Sequence, residues 1–250
     1  MTAARRREAE EARALAPVLR APRAGAETRA LRRALHDLLS PLRSVKSLPD
    51  WVRDDLEEAG ITVPPEVQNT LDTIVAQARR SERMTRDFFV YQLLAEHRLD
   101  ITRIDLSECI GGAAETLGLD ASALDLDGTA CELRTDQALV DYILSVLLDN
   151  ARKHHPNPPA RIQCRIDAGD AAAAVTVMDD GRGIPTASVA RMFEPFEMLQ
   201  SRDIVEGSGL GLARLMRAAD LLGATVETGT GLAGRGLSVR VTIPDLGDGS

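Results

Sequence analysis

The sequence predicts an α+β protein in which an antiparallel two-helix hairpin is followed by an α/β sandwich. Apolar residues before residue 98 recur at alternating spacings of four and three over two long segments, which indicates helices packed side by side. After residue 98, short alternating strands are interspersed with apolar helices, a pattern typical of helices that cover one face of a mixed sheet. These patterns divide the chain into residues 1–28, 29–98 and 99–250.

Residues 1–28 are an extension rich in Ala, Arg and Glu, and the hairpin follows it. The apolar stripe of the first predicted helix consists of Leu31, Leu35, Leu38, Leu42, Val45, Val52 and Leu56. The stripe of the second consists of Val67, Leu71, Ile74, Ala78, Ser81, Thr85 and Phe88. A turn over residues 60–65 separates them, because Gly60 and two prolines cannot continue a helix.

The predicted hairpin has a wide apolar face that one chain cannot bury alone. Pairing two hairpins about a two-fold axis covers the remaining apolar side chains. We therefore predict a homodimer that forms a four-helix bundle.

Several elements of the sandwich are predicted from alternation and capping residues. Residues 101–106 alternate like a strand, Ser107 caps a helix that continues to about Leu119, and residues 124–133 form a weak strand. Asp136 caps an apolar helix over residues 138–153. Residues 161–166 and 172–178 form a β-hairpin, residues 210–222 a helix, and residues 236–243 a final strand.

The overall composition excludes several classes of function. The 250 residues carry a net charge of −8, which argues against nucleic acid or an anionic membrane as the main partner. No apolar run approaches the ~20 residues that cross a bilayer, and the arginine-rich start lacks the apolar segment of a secretory signal. We expect no nucleic-acid partner, no membrane span in this chain and a cytoplasmic location.

The three cysteines, Cys109, Cys131 and Cys164, are far apart in the sequence. Their spacing matches neither a zinc site nor a disulfide framework. We expect reduced, buried thiols.

Four short segments carry residues suited to nucleotide chemistry. They are Asp149-Asn150-Ala151-Arg152-Lys153-His154, Asp179-Asp180-Gly181-Arg182-Gly183, Phe193-Glu194-Pro195-Phe196 and Gly207-Ser208-Gly209-Leu210-Gly211. Asn150 and Lys153 share a helix face, where an amide oxygen suits Mg²⁺ and an ammonium group suits phosphate. The last segment opens an apolar helix, so its backbone N–H groups can cradle phosphate.

In this order the four segments resemble the N box, first glycine box, F box and second glycine box of the GHKL ATP-binding (Bergerat) fold. That fold is shared by sensor histidine kinases, gyrase-type ATPases and Hsp90 chaperones. A fifth segment, His36-Asp37-Leu38-Leu39-Ser40-Pro41-Leu42, resembles the H box of a HisKA-type histidine kinase. The end of the loop before the second glycine box is similar to that of kinases that follow PAS or phytochrome-type sensors.

The resemblance implies ATP and Mg²⁺ as cofactors. It implies that Asn150 binds Mg²⁺, Lys153 binds the phosphates, and Asp179 accepts a hydrogen bond from the adenine amino group. The other implied ATP-site residues are His154, Gly181, Gly183, Phe193, Phe196, Gly207, Ser208, Gly209, Leu210 and Gly211. Phe193 and Phe196 are expected to anchor a mobile lid.

The H box implies a phosphotransfer site on the hairpin. The resemblance makes His36 the phosphoacceptor and Asp37 the base or orienting residue beside it. Ser40 stands where the family places a Thr or Asn that positions water for dephosphorylation of a response regulator.

The predicted function is that of a histidine protein kinase of a two-component system. It would phosphorylate His36 and pass the phosphoryl group to an aspartate on a response regulator receiver domain, under the control of a sensor protein or domain. Two alternatives are a histidine phosphotransfer adaptor or pseudokinase, and a GHKL ATPase or chaperone. Intact Asn150, Lys153 and Asp179 argue against the first. Val146, which replaces the glutamate base of gyrase-type ATPases, argues against the second.

Overall fold

The computed structural model describes residues 26–119, 123–128, 130–153, 160–197 and 208–247. It begins with two long helices, α1 (Ala26–Glu58) and α2 (Pro65–Ala95), which pack against each other. Gly60, at φ +68°, donates to the carbonyl of Glu57, and Ile61 donates to that of Leu56. This left-handed cap ends α1 and reverses the chain. The predicted hairpin is confirmed. The extension, residues 1–28, lies outside the described residues except for the backbone of residues 26–28.

Inside the hairpin the two helices bury only part of their apolar stripes. Leu39, Leu71 and Ala78 are buried, whereas Leu38 of the predicted stripe is 52% exposed. Two helices in contact cover only one side of each apolar stripe, so part of the predicted wide apolar face remains exposed. Buried Glu82 pairs with Lys46 across the hairpin at 2.7 Å.

The sandwich contains seven strands and four α-helices among its described residues. In chain order these are β1 (Ile101–Asp105), α3 (Leu106–Thr116), β2 (Leu124–Asp127), β3 (Glu132–Asp136), α4 (Gln137–Lys153), β4 (Ile162–Ala168), β5 (Ala172–Asp179), α5 (Thr186–Val189), α6 (Gly211–Leu222), β6 (Thr225–Thr230) and β7 (Leu237–Pro244). A 3₁₀ turn, Leu232–Gly234, lies between β6 and β7.

The strands form two sheets. The larger sheet has the order β2-β4-β5-β7-β6, with β2 and β4 parallel and the other neighbours antiparallel. β1 and β3 form a separate antiparallel pair. Helices α3, α4 and α6 bury the apolar side of the sandwich, so the predicted mixed sheet with helices on one face is confirmed.

The structure corrects three details of the predicted elements. Asp105 caps α3, because its carboxylate accepts the N–H groups of Ser107 and Glu108, and the helix ends at Thr116. The single strand predicted over 124–133 is two strands in different sheets. Gly128, at φ +123°, lies against the backbone of Ile166 and separates them. Strand β6 was not predicted.

The hairpin and the sandwich share a core. Val90 and Leu94 near the end of α2 are fully buried among the apolar residues of the sandwich, and α2 also contacts α6. None of the helices in the described ranges has the length and apolarity that a membrane span requires.

Candidate functional site

The predicted phosphoacceptor lies in an open position on α1. The side chain of His36 is 74% exposed, and its Nδ1 lies 3.2 Å from Oδ1 of Asp37. Ser40, one turn further along, is also exposed. When Nδ1–H donates to Asp37, the other ring nitrogen, Nε2, carries no proton, and its lone pair can act as a nucleophile.

The N box forms the last turn of α4, whose first turn is capped by Asp136. Asn150 and Lys153 are half-buried there. The Lys153 ammonium group pairs with Asp149, which also accepts from Arg152 at 2.9 Å. The carboxylate therefore holds two cations beside Asn150. His154 lies outside the described residues.

Val146 is one turn before Asn150 on the same helix. Its side chain packs against the apolar core of the sandwich. An apolar side chain at this position cannot activate water.

Asp179 ends β5 and is held by backbone donors from two parts of the chain. Its Oδ1 accepts the N–H of Gly181 at 2.8 Å and the N–H of Leu237, the first residue of β7, at 3.2 Å. The following residue, Asp180, accepts the N–H of Arg161 at 3.1 Å. These bonds fix the orientation of the Asp179 carboxylate at the end of the strand.

Two glycines that the sequence reasoning missed lie against Asp179. A Cβ atom on Gly231 would lie 2.2 Å from the Asp179 carbonyl oxygen, and one on Gly236 would lie 2.0 Å from it. Gly183 of the first glycine box has φ +70°, and a Cβ atom on it would lie 2.7 Å from the carbonyl oxygen of Gly236. The repeated glycines around residues 229–236 were a usable signal for this close packing.

The F box and the second glycine box contact each other through their backbones. Phe196 donates its N–H to the carbonyl of Gly209 at 2.9 Å, and Gly209 takes φ +73°. The Phe196 side chain is 46% exposed, and Phe193 is half-buried. Leu210 is fully buried and precedes Gly211, the first residue of α6. Gly207 lies outside the described residues.

A residue of the hairpin also reaches the second glycine box. The Asp87 carboxylate on α2 accepts a hydrogen bond from Ser208 Oγ and pairs with Arg214 of α6. Next to it, the Arg217 guanidinium lies 4.9 Å from the ring centroid of Tyr91 on α2. No motif in the sequence points to Asp87, because it is 121 residues away from Ser208.

The cysteines are buried and free, as expected. Burial, with a contribution from nearby Asp141, raises the pKa of the Cys109 thiol to about 12, and burial alone raises the pKa of Cys164 to about 12. Protonated, buried thiols are poor nucleophiles, so neither belongs to the site.

Comparison with known families bears on the domain that carries these motifs. Residues 135–247 match the family described as "Histidine kinase-, DNA gyrase B-, and HSP90-like ATPase". The match includes the N box, both glycine boxes and the F box.

Sensor histidine kinases are relatives over a larger part of the chain. The signal transduction histidine-protein kinase AfsQ2 of Streptomyces coelicolor is 26% identical over 76% of this chain and 37% of its own length. The sensor protein CreC of Escherichia coli is 28% identical over 76% of this chain and 40% of its own length. This chain spans well under half the length of these two relatives.

Solved structures share the fold. ShkA, whose structure was determined in complex with AMPPNP, superposes with a TM-score of 0.61 at 20% identity, covering 86% of this chain and 45% of ShkA. The histidine kinase AdeS of Acinetobacter baumannii superposes with a TM-score of 0.54 at 20% identity, covering 84% of this chain and 98% of AdeS. Both matches extend over the hairpin as well as the sandwich.

Proposed function

We propose that this chain is the catalytic part of an ATP-dependent histidine protein kinase and that it phosphorylates its own His36. The proposal rests on exposed His36, whose Nδ1 lies 3.2 Å from the Asp37 carboxylate. The same chain carries the match of residues 135–247 to histidine kinase-, DNA gyrase B- and HSP90-like ATPases. In the proposed division, residues 29–98 serve dimerisation and phosphotransfer, and residues 99–250 bind ATP.

The ATP domain offers donors for each part of the nucleotide. Asp179, held by Gly181 and Leu237, would accept the adenine amino group. Asn150 supplies an amide oxygen, and because Mg²⁺ is usually held by one or two protein oxygens together with phosphates and water, this donor fits it. Lys153 and the N–H groups at the start of α6 would bind the phosphates. Bound Mg²⁺ would neutralise phosphate charge.

The transfer step uses the two ring nitrogens of His36 differently. Nε2 attacks the γ-phosphorus, the bond between that phosphorus and the β–γ bridging oxygen breaks, and ADP leaves. The imidazole becomes positively charged as the new N–P bond forms. Asp37 stabilises that charge by accepting the Nδ1–H, and the Nδ1 proton can leave afterwards.

The phosphoryl group would then pass from His36 to an aspartate of a response regulator receiver domain. The names of two relatives, a signal transduction histidine-protein kinase and a sensor protein, support a signalling partner of this kind. Ser40 would lie beside the phosphohistidine, where its hydroxyl can orient water. We place the reaction in the cytoplasm, where ATP is available, with a sensor protein or domain upstream.

The exposed apolar residues of the hairpin support a homodimer. They recur at intervals of seven residues on both helices: Leu38, Val45 and Val52 on α1, and Val67 and Ile74 on α2. Residues seven apart lie on the same side of a helix, so each helix presents an apolar line outside its own hairpin contact. A second hairpin would cover both lines and complete a four-helix bundle.

The experiment that tests the kinase proposal is autophosphorylation with γ-labelled ATP. The wild type should acquire an acid-labile, base-stable label, and His36→Gln should lose it while still binding ATP. Ser44→Ala, which changes an exposed residue two turns away on the same helix, is the control that should keep the label. Label of wild-type stoichiometry in His36→Gln would exclude His36 as the acceptor.

If the wild type binds no ATP, the kinase proposal is contradicted, because ATP is the proposed phosphoryl donor. It would favour a phosphotransfer adaptor or pseudokinase, with the same hairpin and an inactive ATP domain. Calorimetry with ATP and Mg²⁺ separates the two outcomes.

A further inference from the structure

We propose that Asp87 is a positioning residue through which the phosphotransfer hairpin weakens binding of the nucleotide's phosphates. In this inference, which rests on the proposed kinase function, the carboxylate holds the second glycine box in an arrangement that competes with phosphate. Loading of the nucleotide then loosens the contact between hairpin and ATP domain.

The contact joins α2 to the beginning of α6 through one carboxylate. One oxygen of Asp87 accepts from Ser208 Oγ, and the other accepts from Arg214. The side chains of Asp87 and Arg214 are only 16% and 11% exposed, and Ser208 is buried. A hydrogen-bonded ion pair with so little access to water is screened less by solvent and salt than one at an open surface.

Ser208 transmits the contact to the backbone that would bind phosphate. Its Oγ donates to Asp87 and at the same time accepts the N–H of Leu210 at 3.2 Å. That N–H lies at the N-terminus of α6, among the donors that a phosphate oxygen would use. While Asp87 holds the hydroxyl in this orientation, Ser208 oxygen occupies the donor of Leu210.

The charges act in the same direction. The Asp87 carboxylate places a negative charge next to the second glycine box, where it repels phosphate. It also holds the Arg214 guanidinium on the hairpin side, so that this cation is directed to the carboxylate. Loss of the Asp87 charge removes this repulsion.

The contact also lies near the level of His36 along the hairpin axis. Lys46 of α1 lies opposite Glu82 of α2. In antiparallel helices, His36, ten residues before Lys46, is therefore level with a position ten residues after Glu82. Asp87 is within five residues of that level, about 8 Å along the axis at 1.5 Å per residue. The second glycine box is thus docked on the hairpin near the height of the phosphoacceptor.

The test compares binding of MgADP and of adenosine to the full chain by calorimetry. For Asp87→Asn we expect MgADP to bind about tenfold more tightly and adenosine to bind unchanged, because only the phosphates meet the altered charge. Asp72→Asn is the control. It removes another hairpin carboxylate, paired with Arg53 at 2.7 Å, and should change neither affinity.

Ser208→Ala tests the same contact without altering charge. Ser208 is one of the ATP-site residues implied by the resemblance, but here its oxygen occupies the Leu210 N–H. The substitution frees that N–H and should tighten MgADP binding by a smaller factor, about threefold, again without an effect on adenosine. If Asp87→Asn fails to fold, this variant decides the question alone.

Unchanged or weaker MgADP binding in the folded variants would overturn the role of Asp87. An equal gain in affinity for adenosine would also overturn it, since that result would indicate a general loosening of the domain. If the wild type binds adenosine nucleotides normally, the proposed ATP site stands even when the role of Asp87 is overturned. A wild type that binds neither ligand would contradict the proposed function itself.

Discussion

At the scale of single residues, the nucleotide end of the site depends on backbone packing around Asp179. The carboxylate accepts N–H groups from Gly181 and Leu237, and two glycines approach its own carbonyl oxygen more closely than any Cβ atom could. Gly231 and Gly236 are therefore needed because a larger residue would clash, and Gly236 is also needed for its left-handed backbone conformation, φ +76°. The cost of the left-handed conformation and the cost of the clash can be measured separately.

Gly236→Ala and Gly234→Ala are a matched pair for this purpose. The two glycines have nearly equal angles, φ +76° and φ +77°, but a Cβ on Gly234 would meet no atom within 4 Å. Gly234→Ala should cost only the backbone strain, about 1 to 2 kcal/mol of unfolding free energy. Gly236→Ala should cost more and should also weaken ATP binding, because Asp179 must move. Thermal unfolding and calorimetry measure the two effects, and equal results for both variants would contradict this account.

At the scale of elements, Asp136 joins the end of the hairpin to the ATP domain. One oxygen accepts the N–H of Leu139 at 3.0 Å and caps α4, which carries the N box. The other oxygen lies 2.8 Å from Nε2 of His97 and accepts the N–H of Asp100 at 2.8 Å, both in the connection that follows α2. A single buried carboxylate thus fixes the connection between the two parts relative to the helix of the N box.

The Asp136 carboxyl should make stability depend on pH. Burial raises its pKa, but the hydrogen bonds from His97, Asp100 and Leu139 outweigh burial and lower it below 3.8. A lowered pKa in the folded state contributes stability that is complete above the unfolded value and is lost as the pH falls through the folded one. Asp136→Asn should therefore cost about 2 kcal/mol near pH 7. The difference from wild type should shrink as the pH falls through the unfolded pKa towards the lower folded pKa.

Chemical denaturation at a series of pH values measures this difference. Asp125→Asn is a suitable control, because Asp125 is exposed on β2 and bonds only a side chain, Gln163, in the contacts described for it. A constant difference between wild type and Asp136→Asn across the acid range would show that the carboxyl does not titrate as described.

At the scale of the whole molecule, the apolar residues of the hairpin divide into an inner and an outer set. Leu71 is buried between α1 and α2, whereas Ile74, three residues later, is 38% exposed. A charge on an inner residue is placed inside the hairpin, and a charge on an outer residue is placed in the proposed dimer interface. The two substitutions therefore have different consequences, although both residues belong to one predicted stripe.

We expect Ile74→Glu to give a folded monomer and Leu71→Glu to unfold the hairpin. Light scattering measures the mass and circular dichroism the helix content. Ala76→Glu, at an exposed position on another side of α2, should remain a dimer and serves as the control. A well-folded wild type with a monomer mass at micromolar concentration would show that the outer apolar residues are covered in another way.

Much of the architecture was predicted from local patterns. The heptad-like spacing predicted the hairpin, alternation and capping predicted β4, β5 and α4, and motif order predicted the ATPase domain. These features succeed because helix period, strand period and capping depend on neighbours within a few residues. The roles assigned to His36, Asn150, Lys153 and Asp179 come from the same short-range patterns and remain predictions.

Tertiary structure decided the rest. A periodic stripe does not say which of its edges meets the second helix, so Leu39 is buried and Leu38 is exposed. Residues 124–133 divide between two sheets because strand pairing depends on distant partners, Ile162 for Leu124 and Ile104 for Leu133. Likewise, Asp87 meets Ser208 only because α2 packs against α6. The sequence by itself determined the elements and the chemical groups they carry. The tertiary structure determined which groups meet, because contacts between distant segments depend on packing that no local pattern encodes.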